Sequence, residues 1–425
     1  MKSIILFFLS CFVYFPLSAQ SDKDYQTLIA KASLFHLQRN YKSALDLYEM
    51  AFRIQQPDAL AAYKAAGMYA LDSNAAKSFQ YLQLSLSTGW TEADWLALDP
   101  YFDFLRNTFP EKWKTIKEQA FIKEKQYSQT LQLPFLRKEI NLMTLNDQEL
   151  RYKKSQNNND SLAEIINQQI NQSDLNNLTK TKEIIKKYGW LKISQIGKDG
   201  QNNLWLIVQH ADQDILFQKA ALKAMEKLKG TKELDMENYA FLYDRVQCNL
   251  NYKQLYGTQV AWTNNGKASA FRPIIKEYLA DERRKKIGLQ PMGIYALTYG
   301  FSYQEINAKQ SRQKDFTYKI KVQNLIDSAK YFYSKEQFQK TYDFYNTAST
   351  FLGGLSNADN FEAAVICSKI AITNDDEQYK SISLDFLDLL FLRGFLTQEQ
   401  LYNQPAFTIL HKEQRWAYLN RRLNQ

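Results

Sequence analysis

Ala32, Phe35, Tyr41, Ala44, Leu45, Tyr48, Ala51 and Phe52 set small and aromatic side chains at intervals that recur one step later. Ala66, Tyr69, Ser78, Phe79, Leu82 and Ser85 take the equivalent places, and from Ala44 to Ser78 is one period of 34 residues. A period of that length accommodates a pair of antiparallel helices and a turn. Two helices approach closely only where Ala, Ser or Gly replaces a large side chain, while Tyr and Phe fill the groove alongside. The pattern therefore restricts this part of the chain to stacked helical hairpins. A second copy lies near the carboxyl end, where Ala329, Phe332, Phe338, Tyr342, Tyr345 and Ala348 repeat the spacing of Ala32, Phe35, Tyr41, Leu45, Tyr48 and Ala51.

The echo continues beyond the hairpins. Gly89-Trp90, Pro100, Phe102 and Leu105 correspond in spacing to Gly394-Phe395, Pro405, Phe407 and Leu410, and Trp113 has a near-counterpart in Trp416. Such a tail suits a cap over the last exposed apolar face of a short stack. These residues resemble the tetratricopeptide repeat family. The resemblance implies helical hairpins whose concave surfaces bind a protein or peptide partner. Two units and a cap stand near the lower limit of stability, so each stack is expected to lean on the middle of the chain.

At the amino end, Lys2 precedes an apolar run from Ile4 to Leu17, followed by Ser18-Ala19-Gln20. The run is shorter than the ~20 residues a membrane-spanning helix requires, and Ala19 is small enough for a cleavage point. The reading is a signal peptide over residues 1–19, with export to the periplasm or the extracellular space. Phe8-Leu9-Ser10-Cys11 loosely resembles a lipidation box, but the apolar run continues past Cys11, which favours soluble export over a lipid anchor. No later stretch reads as a transmembrane segment. Ser383 to Leu396, the most apolar, carries Asp385, Asp388 and Arg393. Beyond the leader only Cys248 and Cys367 remain, far apart in the chain, which excludes a disulfide framework and suits two buried thiols. The net charge of +9 is dispersed rather than gathered on one face among stacking aromatics, so no nucleic acid is expected as partner.

The expected organisation is thus mainly α. Tetratricopeptide-like hairpins occupy residues 20–130 and 318–425, and a mostly helical domain with one small β-hairpin occupies 136–310. Within that domain the polar run from Gln156 to Asn177 reads as loop or helix ends. Apolar periodicity marks helices at Leu178–Tyr188, Leu204–Ala211, Ile215–Leu228 and Glu237–Cys248. Tyr252–Trp262 and Ser269–Ile274 read as paired strands joined at Asn264-Asn265-Gly266, a type I′ turn signal. Helices near Tyr278–Lys286 and Met292–Tyr303 complete it.

This middle part carries a second resemblance. Gly189-Trp190, Val208-Gln209-His210-Ala211-Asp212, Phe217-Gln218, Tyr243-Asp244-Arg245-Val246, Gln254-Leu255-Tyr256-Gly257-Thr258-Gln259, Pro273-Ile274, Asp281 with Arg283-Arg284, and Gly288-Leu289 stand in order. The series resembles a bacterial domain family of unknown function, over about Asn177 to Tyr303. Leu191 stands where that family usually carries proline. The resemblance implies no activity.

The polar clusters in this series are the candidate site. His210 ends an apolar helix face, and on a helix Asp214 at i+4 would share its side; Asp212 or Asp214 could orient the ring. An imidazole so held can act as general acid or base near neutral pH. His210, Asp212 and Asp244 are the catalytic candidates. Gln209, Gln218, Arg245, Gln254, Tyr256, Thr258 and Gln259 are the candidate ligand-binding residues. Arg245 offers a forked grip on a carboxylate or phosphate, and the amides and hydroxyls suit a peptide or glycan. Equally, His210 could cap its helix, Asp244-Arg245 could be an ion pair, and the Gln254–Gln259 stretch could pin the hairpin to the helices. With no His pair at i, i+4 and no phosphate-cradling glycine loop, neither a metal nor a cofactor is expected. Two readings follow: a secreted binding protein with a polar ligand site, or a hydrolase using His210.

Overall fold

The computed structural model describes residues 17–157, 160–374 and 376–424. The expected leader lies outside these residues but for the backbone of its last three, and Cys11 lies outside them altogether. Among the described residues the fold is mainly α with a single two-stranded antiparallel sheet. Among the described residues no helix is long and apolar enough to cross a membrane. The chain divides into two compact units: residues through Thr130 with Gly293–Tyr303, and Leu131–Met292 with Gln304–Gln425.

In the first unit, helices Leu17–Leu37 and Tyr41–Ile54 form one hairpin, and Ala59–Leu71 and Ala75–Thr88 form the next. Ala32, Ala44, Ala51 and Ala66 have no exposed surface, so these small residues sit where the helices are closest. Asn40, Asp58 and Asn74 cap the helix starts with their side chains. Gly89 ends the fourth helix in the left-handed conformation (φ 116°). The chain then turns through short helices, burying Phe102, Leu105 and Trp113 against Tyr63 and Leu82.

The second unit begins with long helices Pro134–Gln156 and Asp160–Tyr188. The second is far longer than the Leu178–Tyr188 helix expected, because most of the Asn/Gln-rich run is helical. Its inner face carries Ile166, Ile170, Asn177, Thr181 and Ile184, all buried, at helical spacing. Outward-facing Asn and Gln cost a helix little when such a face is packed. Helices Ile193–His210, Ile215–Glu226 and Met236–Asn249 follow, close to expectation, although the first starts earlier and kinks at Gly197 (φ 78°).

Strands Val260–Trp262 and Ala268–Phe271 are shorter than expected. Their connection also differs from a type I′ turn. Gly266 alone takes positive φ there, its N–H reaches the Thr263 carbonyl (2.9 Å), and the Thr263 N–H reaches Lys267 O (2.8 Å). That is the pattern of a longer loop with glycine in the left-handed position, accompanied here by an irregular register between Ala261 and Trp262.

Helical hairpins close the unit, formed by Ala308–Ser334 with Phe338–Ser349 and by Asn357–Asn374 with Glu377–Arg393. Ala329, Tyr345 and Ala348 are fully buried, and the tail buries Phe407, Leu410 and Trp416 as the first unit buries Phe102, Leu105 and Trp113. Gly394 ends its helix in the left-handed conformation, as Gly89 does.

Candidate functional site

The expected site residues separate into a turn clamp, an exposed ion pair and a histidine site. The clamp centres on Asp244, which has no exposed surface. Its Oδ1 accepts the N–H groups of Leu255 (2.7 Å) and Tyr256 (3.0 Å). Its Oδ2 accepts the N–H (3.0 Å) and hydroxyl (3.1 Å) of Thr258. Burial pushes its carboxyl above the usual range, against the pull of these backbone donors. Gln254, also fully buried, donates to the carbonyls of Gln259 (2.8 Å) and Arg272 (2.7 Å) and accepts the Gln259 N–H (2.8 Å). The Gln259 side chain donates to Thr258 Oγ1 (3.2 Å). Tyr256 is buried beside Tyr243, and its carbonyl accepts from Arg284 (2.8 Å). Asp244, Gln254, Tyr256, Thr258 and Gln259 are thus gathered in one turn, where their polar groups hold the backbone in shape.

Asp244 and Arg245 do not pair with each other. Neighbours on a helix point about 100° apart, and Arg245 turns instead to Asp212. Its Nε meets Asp212 Oδ1 at 2.7 Å and its terminal nitrogen meets Oδ2, a forked contact. Asn249 (3.0 Å) and Gln218 (3.3 Å) complete the ring of donors on Asp212. Together they keep its carboxyl below the usual range despite partial burial. Gln218 also donates to the carbonyls of Val208 and Gln209, bracing the end of the preceding helix, while its Oε1 and that of Gln209 are buried with no hydrogen-bond partner among the described residues.

His210 faces elsewhere. Neither Asp212 nor Asp214 orients it: Asp212 is taken by Arg245, and Asp214 caps the next helix and pairs with Lys182 (2.5 Å). The carboxylate at its ring is Asp147, whose Oδ2 stands 3.4 Å from His210 Nδ1. Asp174 joins them; ligand atoms of Asp147, Asp174 and His210 all lie within 4.8 Å of one another. Arg151 spans the two carboxylates, its Nε on Asp147 Oδ1 (2.9 Å) and a terminal nitrogen on Asp174 Oδ1 (2.7 Å). A hollow of about 10 Å³, room for about one water, is lined by Asp147, Asp174 and His210 with Asn177, Ile207 and Gln213. Among the described residues His210 Nε2 has no hydrogen-bond partner, and the side chain is 24 % exposed.

The two carboxyls are driven in opposite directions. Burial would raise Asp147, but the hydrogen bonds from His210 and Arg151 outweigh it and hold the group well below its ordinary value. Asp174 is raised, first by burial and then by the neighbouring Asp147 charge. Such a pair offers one ionised and one more readily protonated oxygen beside an imidazole. The donor set Asp147, Asp174 and His210 is chemically able to ligate a cation, but Arg151 already supplies the positive charge there.

Asp147, Arg151 and Asp174 escaped sequence reasoning because they come from helices outside the motifs. A signal existed. Leu136, Ile140, Thr144, Asp147 and Arg151 follow one helical face, as do Ile166, Ile170, Asp174, Asn177 and Thr181. A carboxylate interrupting a core stripe on each of two adjacent helices marks a paired or functional charge.

Residues 134–304 match a family of unknown function (DUF6624), a span that takes in Asp147, Asp174 and His210 as well as the motif series. No curated protein and no solved structure matches the chain.

Proposed function

We propose that this chain is an exported binding protein in which tetratricopeptide-like hairpins present partner surfaces and the 134–304 segment holds a polar ligand at His210. The export reading rests on the leader-like sequence at residues 1–19, and the repeat reading on the recurring Ala, Tyr and Phe positions. One observation carries the ligand site. Asp147, Asp174 and His210, from three different helices, converge on a hollow with His210 Nε2 left to an incoming group. A hydroxyl or amide tip of a peptide or glycan suits a hollow of that size and polarity.

A hydrolase-type reaction is the second reading, favoured by the opposite shifts of Asp147 and Asp174. Asp147 would orient the ring, His210 Nε2 would take a proton from the water as its oxygen bonds to the substrate, Asp174 would give one to the departing oxygen as the scissile bond breaks, and the proton on His210 would then restore Asp174. The test is a thermal-shift panel of short peptides and oligosaccharides on wild type, His210→Ala and Asp174→Asn, paired with hydrolysis assays on p-nitrophenyl esters and glycosides. Binding predicts that compounds stabilise wild type and not His210→Ala, without turnover. Turnover lost in both variants selects the hydrolase. A large loss of thermal stability in His210→Ala, with no compound distinguishing the proteins, sinks both in favour of a structural histidine.

A further inference from the structure

We infer that the second unit carries another site, separate from His210, that takes a small monocarboxylate with an apolar body. A groove of about 630 Å³ opens between the Ile215–Glu226 helix start and the C-terminal helices Glu377–Arg393 and Gln414–Leu423. That volume lies within the few hundred to ~1,000 Å³ typical of small-molecule pockets. Ile215, Leu216, Phe391 and Leu392 supply apolar wall, and Arg422 and Tyr418 stand over it.

The charges around the groove sum to zero, Asp214, Asp385 and Asp388 against Lys182, Arg415 and Arg422, but they are not all paired. Asp214 is paired with Lys182 and accepts the Phe217 N–H (3.0 Å). Asp388 is paired with Arg415, which also binds Asp385 (2.7 Å). Arg422 is different. It donates to the Tyr418 hydroxyl (2.9 Å), and its guanidinium lies 5.6 Å from the Tyr418 ring centre and 5.9 Å from that of Phe391. Among the described residues no carboxylate stands within ion-pair distance of it. Tyr418 is half exposed, so the guanidinium and its ring form a ledge open to the groove.

A guanidinium held beside aromatic rings and tied to one hydroxyl keeps its remaining donors in a fork that matches a carboxylate. The same surroundings select the charge of the ligand. A dianionic phosphate would add two negative charges beside Asp214 and Asp388 to a groove that is already neutral, whereas a monocarboxylate adds one, and that one meets Arg422. The apolar wall then takes the body of the molecule, at about 25 cal/mol for each Å² removed from water.

The full chain is titrated by calorimetry with 4-phenylbutyrate, octanoate, 4-phenylbutanol and phenyl phosphate. Both carboxylates are expected to bind at submillimolar concentration, and the alcohol and the phosphate at least about fivefold more weakly. Arg422→Gln should weaken the carboxylates by a similar factor without changing the melting temperature. Leu216→Glu, which places a negative charge on the wall, should do the same by an independent route. His210→Ala should leave this binding unchanged, so failure of the His210 site and failure of the groove are told apart. The inference is overturned if neither carboxylate binds at millimolar concentration, if alcohol and acid bind alike, if phenyl phosphate binds more tightly than the carboxylates, or if both groove variants bind as wild type does.

Discussion

Asp244 Oδ2 holds Thr258 twice, through the backbone N–H at 3.0 Å and the hydroxyl at 3.1 Å. With Leu255 and Tyr256 on the same carboxylate, one side chain from the Met236–Asn249 helix satisfies three backbone donors of a buried turn. An amide cannot replace it, because asparagine keeps a single acceptor oxygen and turns an N–H₂ toward backbone N–H groups. Asp244→Asn is therefore expected to cost about 3 kcal/mol, the scale of a buried charged group deprived of its partners. The earlier urea midpoint would show it. Were Asp244 a catalytic acid with no part in the turn, the variant would unfold at the wild-type midpoint.

Gly257 lies inside that turn at φ 71°, and a Cβ there would stand 2.4 Å from Met292 Sδ and 3.0 Å from Ile274 Cδ1. The residue that comes close to the glycine is thus protein, not ligand. Gly257→Ala combines left-handed strain with a core collision and should destabilise by roughly 2–4 kcal/mol. Trimming the obstacle in a Gly257→Ala, Met292→Ala double variant should relieve the collision but not the strain. A double-variant loss equal to the sum of the single losses would show that the two sites do not touch.

How far the letters disclosed this arrangement depends on the range of each interaction. The hairpins were legible because Ala32, Ala44 and Ala329 recur at spacings that only close helix packing explains. The turn clamp was half legible: Asp244, Gln254 and Thr258 were visible as a group, but nothing local distinguishes a carboxylate that serves a ligand from one that serves three backbone N–H groups. His210 was visible and its partner was not. Asp147 lies two helices earlier, and a preference for nearby carboxylates led to Asp212 and Asp214, which Arg245 and Lys182 occupy. The Asp160–Tyr188 helix was hidden because its Asn and Gln residues suggest loop when counted, and helix only once their placement on the outer face is known.

Among the described residues, Cys248 and Cys367 are both unpaired and buried. Burial is the main cause that pushes the Cys248 thiol up to about 11 and the Cys367 thiol up to about 12. Since thiolate is the reactive form, both should be inert to a disulfide reagent at pH 8 in the folded protein and react fully in denaturant. Two thiols released on unfolding without reductant, and none before, is the expected count for the chain shortened by residues 1–19, which hold Cys11. Rapid labelling of either in the native state would show that its cover opens readily.

In the first unit, His36 Nε2 lies 3.1 Å from the Tyr101 hydroxyl, and burial, followed by the Lys64 charge, lowers the imidazole pKa from 6.5 to about 4. The folded protein therefore keeps His36 neutral in a range where the unfolded chain would protonate it. The contribution to stability is fully present above pH 6.5 and is lost as pH falls through the window from 6.5 toward 4. A shift of this size corresponds to roughly 2–3 kcal/mol at the lower end. His36→Gln can still bond to the Tyr101 hydroxyl but does not titrate. Because carboxyls also titrate near pH 4, the informative quantity is the difference in urea midpoint between wild type and His36→Gln, followed from pH 7.5 to 4. That difference should be level above pH 6.5 and move in favour of the variant below it. A constant difference across the whole range would place the ring in water, with an ordinary pKa.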